Sequence, residues 1–311
     1  MNHTILGAGG SIGNSLAYEL LKDNEPVLLV SRSNYAIKGA ESFKADISKY
    51  EETLKSVQGS DIVYLCVGLK YDIKVWEELW PKIMLNTIDA CKSVNAKLIF
   101  FDNVYMYGAV QGKMTEDTPY NPCSRKGELR ARIATTLENE IKKKNLIANI
   151  ARSADLYGPN ITTNSGPYIL VIDKLMKGKN AQWMLDAEKT HSFTYTIDCA
   201  KAMKILAKSE DSFNQVWHIP TYNPGITGKT FVELVAKELK KAPKYMILKK
   251  WMLQLVGIFD KTVSEINEML YQTENDYYFD STKFNRTFSY QPITYEEGIH
   301  ETIKTLLRNS K

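Results

Sequence analysis

Short, almost continuous apolar runs recur along the first half of the chain: His3–Leu6, Val27–Val30, Asp61–Val67, Lys97–Phe101 and Ile147–Ala151, while Phe43-Lys44-Ala45-Asp46-Ile47 reads as a further short strand ending in Asp46. Runs of this length without helical periodicity predict strands buried on both faces. Between them, Asn14–Lys22, Ser48–Gln58, Val75–Val94 and Arg125–Lys144 repeat their apolar positions every three or four residues, as helices do. Val75–Val94 is expected to carry Trp76, Trp80 and Leu85 on one side. Lys142–Lys144 suits a helix C-terminus, where cations meet the negative end of the dipole.

Strands alternating with helices predict an α/β chain with a Rossmann-type, doubly wound parallel sheet. Ligands of such sheets lie at the carboxyl ends of the strands. That rule places Gly7–Gly13, Ser31–Ser33, Cys66–Gly68, Asn103 and Arg152–Gly158 around one crevice. Beyond about residue 160 the alternation fades. Gly166–Gly178, Thr227–Lys240 and Glu296–Arg308 read as helices, and Thr190–Ile197 and Val216–Ile219 as strands, separated by turns with Pro and Gly. The expected organisation is a dinucleotide-binding domain over 1–160, with 190–222 returning to it. A smaller mixed α/β substrate-binding portion covers 161–189 and 223–311.

The first strand runs into Gly7-Ala8-Gly9-Gly10-Ser11-Ile12-Gly13 and then a helix. Strand, glycine turn and helix are the context of a dinucleotide fingerprint. Gly7 permits the tight turn. Gly9 and Gly10 let backbone approach a pyrophosphate, and Gly13 lets the helix pack on the strand. The N–H groups of Ser11, Ile12 and Gly13 open the helix and face the phosphates. After the second strand, NAD-binding chains carry an acid for the ribose 2′-hydroxyl. Here stand Ser31-Arg32-Ser33, a guanidinium and two hydroxyls that suit a 2′-phosphate, so NADP is expected rather than NAD. Asp46 is expected to cap the helix Ser48–Gln58, to meet the adenine, or both.

Composition narrows the class. The 311 residues are 44% hydrophobic with net charge +4, a mild and dispersed balance that argues against nucleic acid. Cys66, Cys91, Cys123 and Cys199 form no CxxC pair, which fits reduced thiols in a cytoplasmic protein and no metal site. No signal peptide is expected, because a buried strand begins at about residue 3. No apolar run is long enough to span a membrane, so no membrane partner is expected.

Nearly end to end, the chain resembles an extended short-chain dehydrogenase/reductase of the NAD-dependent epimerase/dehydratase family. The resemblance rests on Gly7-x-x-Gly10-x-x-Gly13, Asp46-Ile47, Asn86 in Met84-Leu85-Asn86-Thr87, Tyr107-Gly108 and Thr115-Glu116-Asp117. It continues through Arg152…Tyr157-Gly158-Pro159 and Phe193-Thr194-Tyr195-Thr196-Ile197-Asp198. It implies that Asp46 and Ile47 contact adenine, that Cys66, Val67 and Gly68 pass along the cofactor, and that Ala154 and Asp155 lie near the nicotinamide. It also implies a homodimer through Val75–Val94 and Arg125–Lys144, with Trp76 and Trp80 giving apolar area.

The resemblance breaks at the catalytic residues. The family has a Tyr followed four residues later by a Lys; the matching positions hold Lys126 and Arg130, and the usual Ser/Thr matches Asn103. The chain therefore resembles an atypical branch lacking that trio. Arg130 stays charged at any usable pH and can bind the cofactor's ribose hydroxyls or a phosphate but not shuttle a proton. Lys126 can act as a base only in a buried, electropositive site. Asn103 can orient a carbonyl oxygen. Tyr105 and Tyr107, which strand alternation puts on the same side, are expected as proton donors ahead of Lys126. A plainer alternative leaves Lys126 and Arg130 as solvated residues one helical turn apart. His191 stands where nucleotide-sugar epimerases carry a diphosphate-binding Arg. Trp183, Trp217 and His218 line the pocket or pack the core. Two readings follow: an NADP-linked oxidoreductase or epimerase-like enzyme with an altered site and a small-molecule substrate, or a non-catalytic NAD(P)-binding sensor.

Overall fold

The structure, a computed structural model, describes residues 1–161 and 165–309. The chain forms two compact units. Unit 1 is Met1–Met106, Lys126–Arg152 and Cys199–Trp217; unit 2 is the remainder. These bounds differ from the expected division near residue 160. Tyr107–Arg125 and Ser153–Asp198 pack with unit 2, and only Cys199–Trp217 returns to the sheet. The expected 161–189 and 223–311 portion includes residues 162–164 and 310–311, which lie outside the described residues.

Unit 1 is built on strands β1 (His3–Leu6), β2 (Val27–Ser31), β3 (Glu41–Lys44), β4 (Ile62–Leu65), β5 (Lys97–Asp102), β6 (Ala148–Arg152) and β7 (Val216–His218). They form one sheet in the order β7-β6-β5-β4-β1-β2-β3, with β1 to β6 parallel. Every residue of β1 and β4 is buried, as continuous apolar runs require. From β1 the chain winds outward to β3, then returns to the other side of β1 to place β4. The strand order therefore reverses beside β1, and that is where an open α/β sheet takes its ligand.

Helices α1 (Ser11–Leu21), α2 (Tyr50–Ser56), α3 (Ile73–Val94) and α4 (Arg125–Lys142) connect or flank these strands. Helix α3 begins at Asp72, whose side chain accepts from the Lys74 N–H, and ends at Asn95 in the left-handed conformation. Trp76 and Trp80 are buried within the chain, whereas Leu85 is 51% exposed. The three do not share a side: Leu85 lies five residues past Trp80, about 140° around the helix. Helix α2 is shorter than expected and is not capped by Asp46. Lys49 occupies its N-cap, and Asp46 instead accepts from the N–H and hydroxyl of Ser48.

Unit 2 contains short two-stranded pairings. Asp155–Tyr157 runs parallel to Phe193–Tyr195, Ala181–Met184 parallel to Tyr245–Leu248, and Lys113–Met114 parallel to Tyr278–Phe279. Thr190–His191 is antiparallel to Ile226–Thr227. The expected strand Thr190–Ile197 is thus two strands in different pairings, split at Ser192. Its core gathers Tyr157, Trp183, Phe193, Phe231 and Tyr295. No described helix is long and apolar enough to cross a membrane.

Candidate functional site

The glycine turn joins β1 to α1, and its steric demands are specific. Gly7 has φ +105°, and a Cβ there would stand 2.8 Å from the Val67 N and 2.9 Å from the Cys66 carbonyl. Glycine is thus required twice, for conformation and for the close passage of the chain leaving β4. At Gly13 a Cβ would meet the Gly7 oxygen at 3.0 Å and the Ile5 side chain at 3.3 Å, so this glycine sets how closely α1 packs on β1. A Cβ at Gly10 would lie 3.3 Å from the same Gly7 oxygen. No side chain caps α1, so the N–H groups of Ser11, Ile12 and Gly13 precede the first intrahelical hydrogen bond. Helix N-terminus and glycine backbone together form a cradle for an anion such as a pyrophosphate.

Two residues not anticipated from the sequence close this turn. Asn14 Oδ1 accepts from the Gly9 N–H at 2.9 Å, and its Nδ2 donates to the Tyr35 hydroxyl at 3.1 Å. The Tyr35 ring would be 3.5 Å from a Cβ at Gly9. Ser31 anchors the same loop, its Oγ accepting from the Tyr35 N–H. Arg32 and Ser33 are exposed beside it. Hydrogen bonds from Ser48 hold the Asp46 carboxyl below the usual carboxylate range, with Lys49 and Arg32 adding to the effect. Asn86 on α3 donates to the Ile47 carbonyl at 3.1 Å, fixing the turn that carries Asp46 and Ile47. Val67 and Gly68 follow β4 beside the glycine turn. Burial pushes the Cys66 thiol up to about 12, so it is a neutral packing group.

The start of α4 is organised differently. Lys126 and Arg130 are not solvated: Lys126 is 0% and Arg130 3% exposed. Arg130 is held by Asp102 at the end of β5, with its guanidinium 4.5 Å from the Trp80 ring centroid and 5.1 Å from that of Phe100. Arg152 approaches the other Asp102 oxygen at 3.4 Å and Glu138 at 3.7 Å. Asp102, Arg130, Arg152 and Glu138 form a largely buried charge network whose centre, Asp102, follows directly on the apolar run of β5. The Lys126 ammonium sits 4.7 Å from the Tyr71 ring centroid, and Trp76 packs edge-on to Tyr71 and parallel to Tyr105.

Tyr105–Tyr107 is a single 3₁₀ turn rather than a strand continuation. Residues two apart in such a turn point in different directions, so the two phenols do not share a side. Tyr105, in unit 1, is half-buried against Trp76. Asn103 accepts the Tyr105 N–H through Oδ1, which leaves its Nδ2 as the end suited to a substrate oxygen. Tyr107, in unit 2, is 1% exposed and 2.9 Å from His218 Nε2. His218 Nδ1 donates to the Asp280 carbonyl at 2.8 Å, which leaves Nε2 to meet the Tyr107 hydroxyl.

Also in unit 2, Ala154 donates its N–H to Thr194 Oγ1. Asp155, more than a third exposed, stands 2.9 Å from His191 Nε2. The His191 ring is sandwiched between Phe193 and Tyr277 at 4.6 and 4.3 Å. Trp183 packs against Phe193 and Phe231 in the core of this unit, and Trp217 in unit 1 donates to the Ser212 carbonyl. Among the described residues, no group of three or more His, Cys, Asp and Glu side chains is placed to hold a metal ion.

Comparison with known proteins bears on the family and the fold. No curated protein matches the sequence. Among solved structures, dTDP-glucose 4,6-dehydratase from Bacillus anthracis in complex with NAD superposes with a TM-score of 0.82 at 16% identity, covering 99% of this chain and 97% of that one. UDP-glucose 4-epimerase from Thermotoga maritima with UDP-glucose gives 0.81 at 19% identity, with both chains covered completely. UDP-glucuronic acid 4-epimerase from Bacillus cereus in complex with NAD gives 0.82 at 18%, again over both whole chains. At these identities the likeness is one of fold. Residues 3–219 match the profile of the NAD dependent epimerase/dehydratase family. The chain belongs to the NAD-dependent epimerase/dehydratase family.

Proposed function

We propose that the chain is an NAD(P)-dependent enzyme of the epimerase, dehydratase or reductase kind, with a small-molecule substrate and a proton relay unlike the family's usual one. The observation that carries this reading is the glycine turn. A Cβ at Gly7 would collide with backbone and one at Gly13 would crowd it, and the uncapped α1 N-terminus leaves its N–H groups for a pyrophosphate. Gly9, Gly10, Ser11, Asp46, Ile47, Val67, Gly68 and Asn86 would hold the rest of the dinucleotide, which supplies hydride donor or acceptor chemistry at its nicotinamide when bound. Ser31, Arg32 and Ser33 would take a 2′-phosphate, favouring NADP over NAD.

Arg130 is committed to Asp102 and does not move a proton. Tyr105 is the proton donor in this reading, because the Tyr107 hydroxyl is buried on His218. Asn103 orients the substrate oxygen through Nδ2. Among the described residues no cysteine is in a disulfide, and three of the four are buried, which supports a cytoplasmic setting. Titration with NADPH and NADH should show tighter binding of NADPH, reversed in Arg32→Asp; equal affinities would remove the NADP assignment. In a metabolite screen, reduced nicotinamide absorbance should fall with a substrate, and Tyr105→Phe should lower turnover about a hundredfold or more while leaving NADPH binding intact.

The buried Asp102–Arg130 pair also supports a second reading, a non-catalytic NAD(P)-binding sensor. Tight NADPH binding with no hydride transfer in a broad screen would select it.

A further inference from the structure

The helix Lys250–Phe259 is built inside out. Trp251, Leu255 and Ile258 recur at helical spacing, flanked by Val256 and Phe259, and the five are 61, 54, 73, 48 and 87% exposed. The inner side is narrow. Leu253 is buried, and a Cβ added at Gly257 would lie 2.9 Å from Asn267 Nδ2 and 3.2 Å from Ser264 on the next helix, Lys261–Asn267. A surface helix normally turns its wide apolar face inward. A contiguous apolar face of this kind on the outside marks a contact with something else.

The charge around it says what. Residues 240–268 hold six lysines, Lys240, Lys241, Lys244, Lys249, Lys250 and Lys261, against three acids, Asp260, Glu265 and Glu268. Lys249 and Lys250 stand at the N-terminal end of the helix, where the macrodipole disfavours cations. Glu274 pairs with Lys250 at 2.7 Å, while the local excess stays positive.

We infer that this helix docks the protein on an anionic phospholipid surface. It lies in the plane of the interface, with Trp251, Leu255, Ile258 and Phe259 at the headgroup–acyl boundary and the exposed Lys244 and Lys249 among the lipid phosphates. Its length, ten residues, gives about 15 Å, too short to span a bilayer and sufficient to lie on one. A second copy is the poorer occupant, because a two-fold pairing would set the same lysine-rich segment against itself. The inference does not depend on dinucleotide binding.

The test is flotation of the full chain with vesicles of phosphatidylcholine alone and of equimolar phosphatidylcholine and phosphatidylglycerol. Binding is expected to the anionic vesicles only, with loss on raising salt. The combined variant Trp251→Ser, Leu255→Ser, Phe259→Ser should weaken it about tenfold or more, and Lys244→Glu with Lys249→Glu by a similar factor. Unchanged thermal unfolding of both variants keeps the result interpretable, since all the altered side chains are exposed. Absence of binding to anionic vesicles, or equal binding to both kinds, overturns the inference. So does a concentration-dependent dimer that only the serine variant dissolves, which would assign the face to a second copy.

Discussion

Two stretches of unit 1 answer differently to the same family resemblance. The turn Gly7–Gly13 works through backbone: what matters is that no Cβ fills the space beside Cys66 and Val67 and that N–H groups at the start of α1 stay uncapped. The start of α4 works through side chains, and there Arg130 is turned onto Asp102 between Trp80 and Phe100, with Lys126 buried over Tyr71. A site made of backbone survives large sequence drift, because a few glycines define it. A site made of side-chain chemistry depends on the identity of each residue that carries it.

The largest effect expected from breaking this contrast is at Asp102. Asp102→Ala would leave Arg130 and Arg152 without their shared carboxylate at buried positions, costing about 3–5 kcal/mol of stability in chemical denaturation. A loss below about 1 kcal/mol would mean that Arg130 is not structurally committed, and the contrast would fall. Next is the strand that leads into the glycine turn. His3 on β1 is buried beside Tyr64, and burial pushes its imidazole from 6.5 down to about 4. The unfolded chain takes up this proton near pH 6.5 and the folded chain only near 4. Stability is therefore full above the upper value and falls by about 3 kcal/mol as pH drops through that window. Unfolding measured across the window should show the slope, and His3→Gln should remove most of it. Smaller in stability is Gly7→Ala, at about 1–3 kcal/mol for a strained left-handed residue. Its dinucleotide affinity should collapse as well, by a hundredfold or more, about 3 kcal/mol of binding. Normal NADPH affinity in this variant would detach the glycine turn from cofactor binding.

The parallel sheet was legible because its central strands are continuous apolar runs, and the glycine turn because its steric requirement is written in residue type. Three things were not. For Arg130 and Lys126 the alternative of solvated residues stayed open, because helical spacing says which residues are neighbours, not which face a neighbouring strand will cover. The acid that claims Arg130, Asp102, is distant in sequence, and its only mark is its place at the end of an apolar run. Strand alternation puts Tyr105 and Tyr107 on one side only if β5 continues, whereas the chain tightens there into a 3₁₀ turn. Unit 2 was read least well, since its strands are two to four residues long and pair across large separations. No local period survives over such lengths.

The smallest expected effect on the folded chain sharpens the reading of α3 and α4, whose inner faces the ion-pair network claims. Trp76 and Trp80, expected to give a dimer its apolar area, are buried in the chain and cannot serve. What these helices present instead is a shallow groove of about 220 Å³ lined by Pro81, Met84, Leu85, Leu129, Arg132 and Thr136 among others. Leu85, half exposed there, is the side chain that a homodimer through these helices would bury. Leu85→Glu should change the unfolding free energy by no more than about 0.5 kcal/mol, as surface substitutions do. In a two-fold interface it would place the new carboxylate near its own copy and shift the protein to monomer. Light scattering at micromolar concentration separates the outcomes. A dimer in the unaltered chain that becomes monomer in the variant supports pairing through α3 and α4. A dimer that persists places the interface elsewhere, and a monomer throughout removes it.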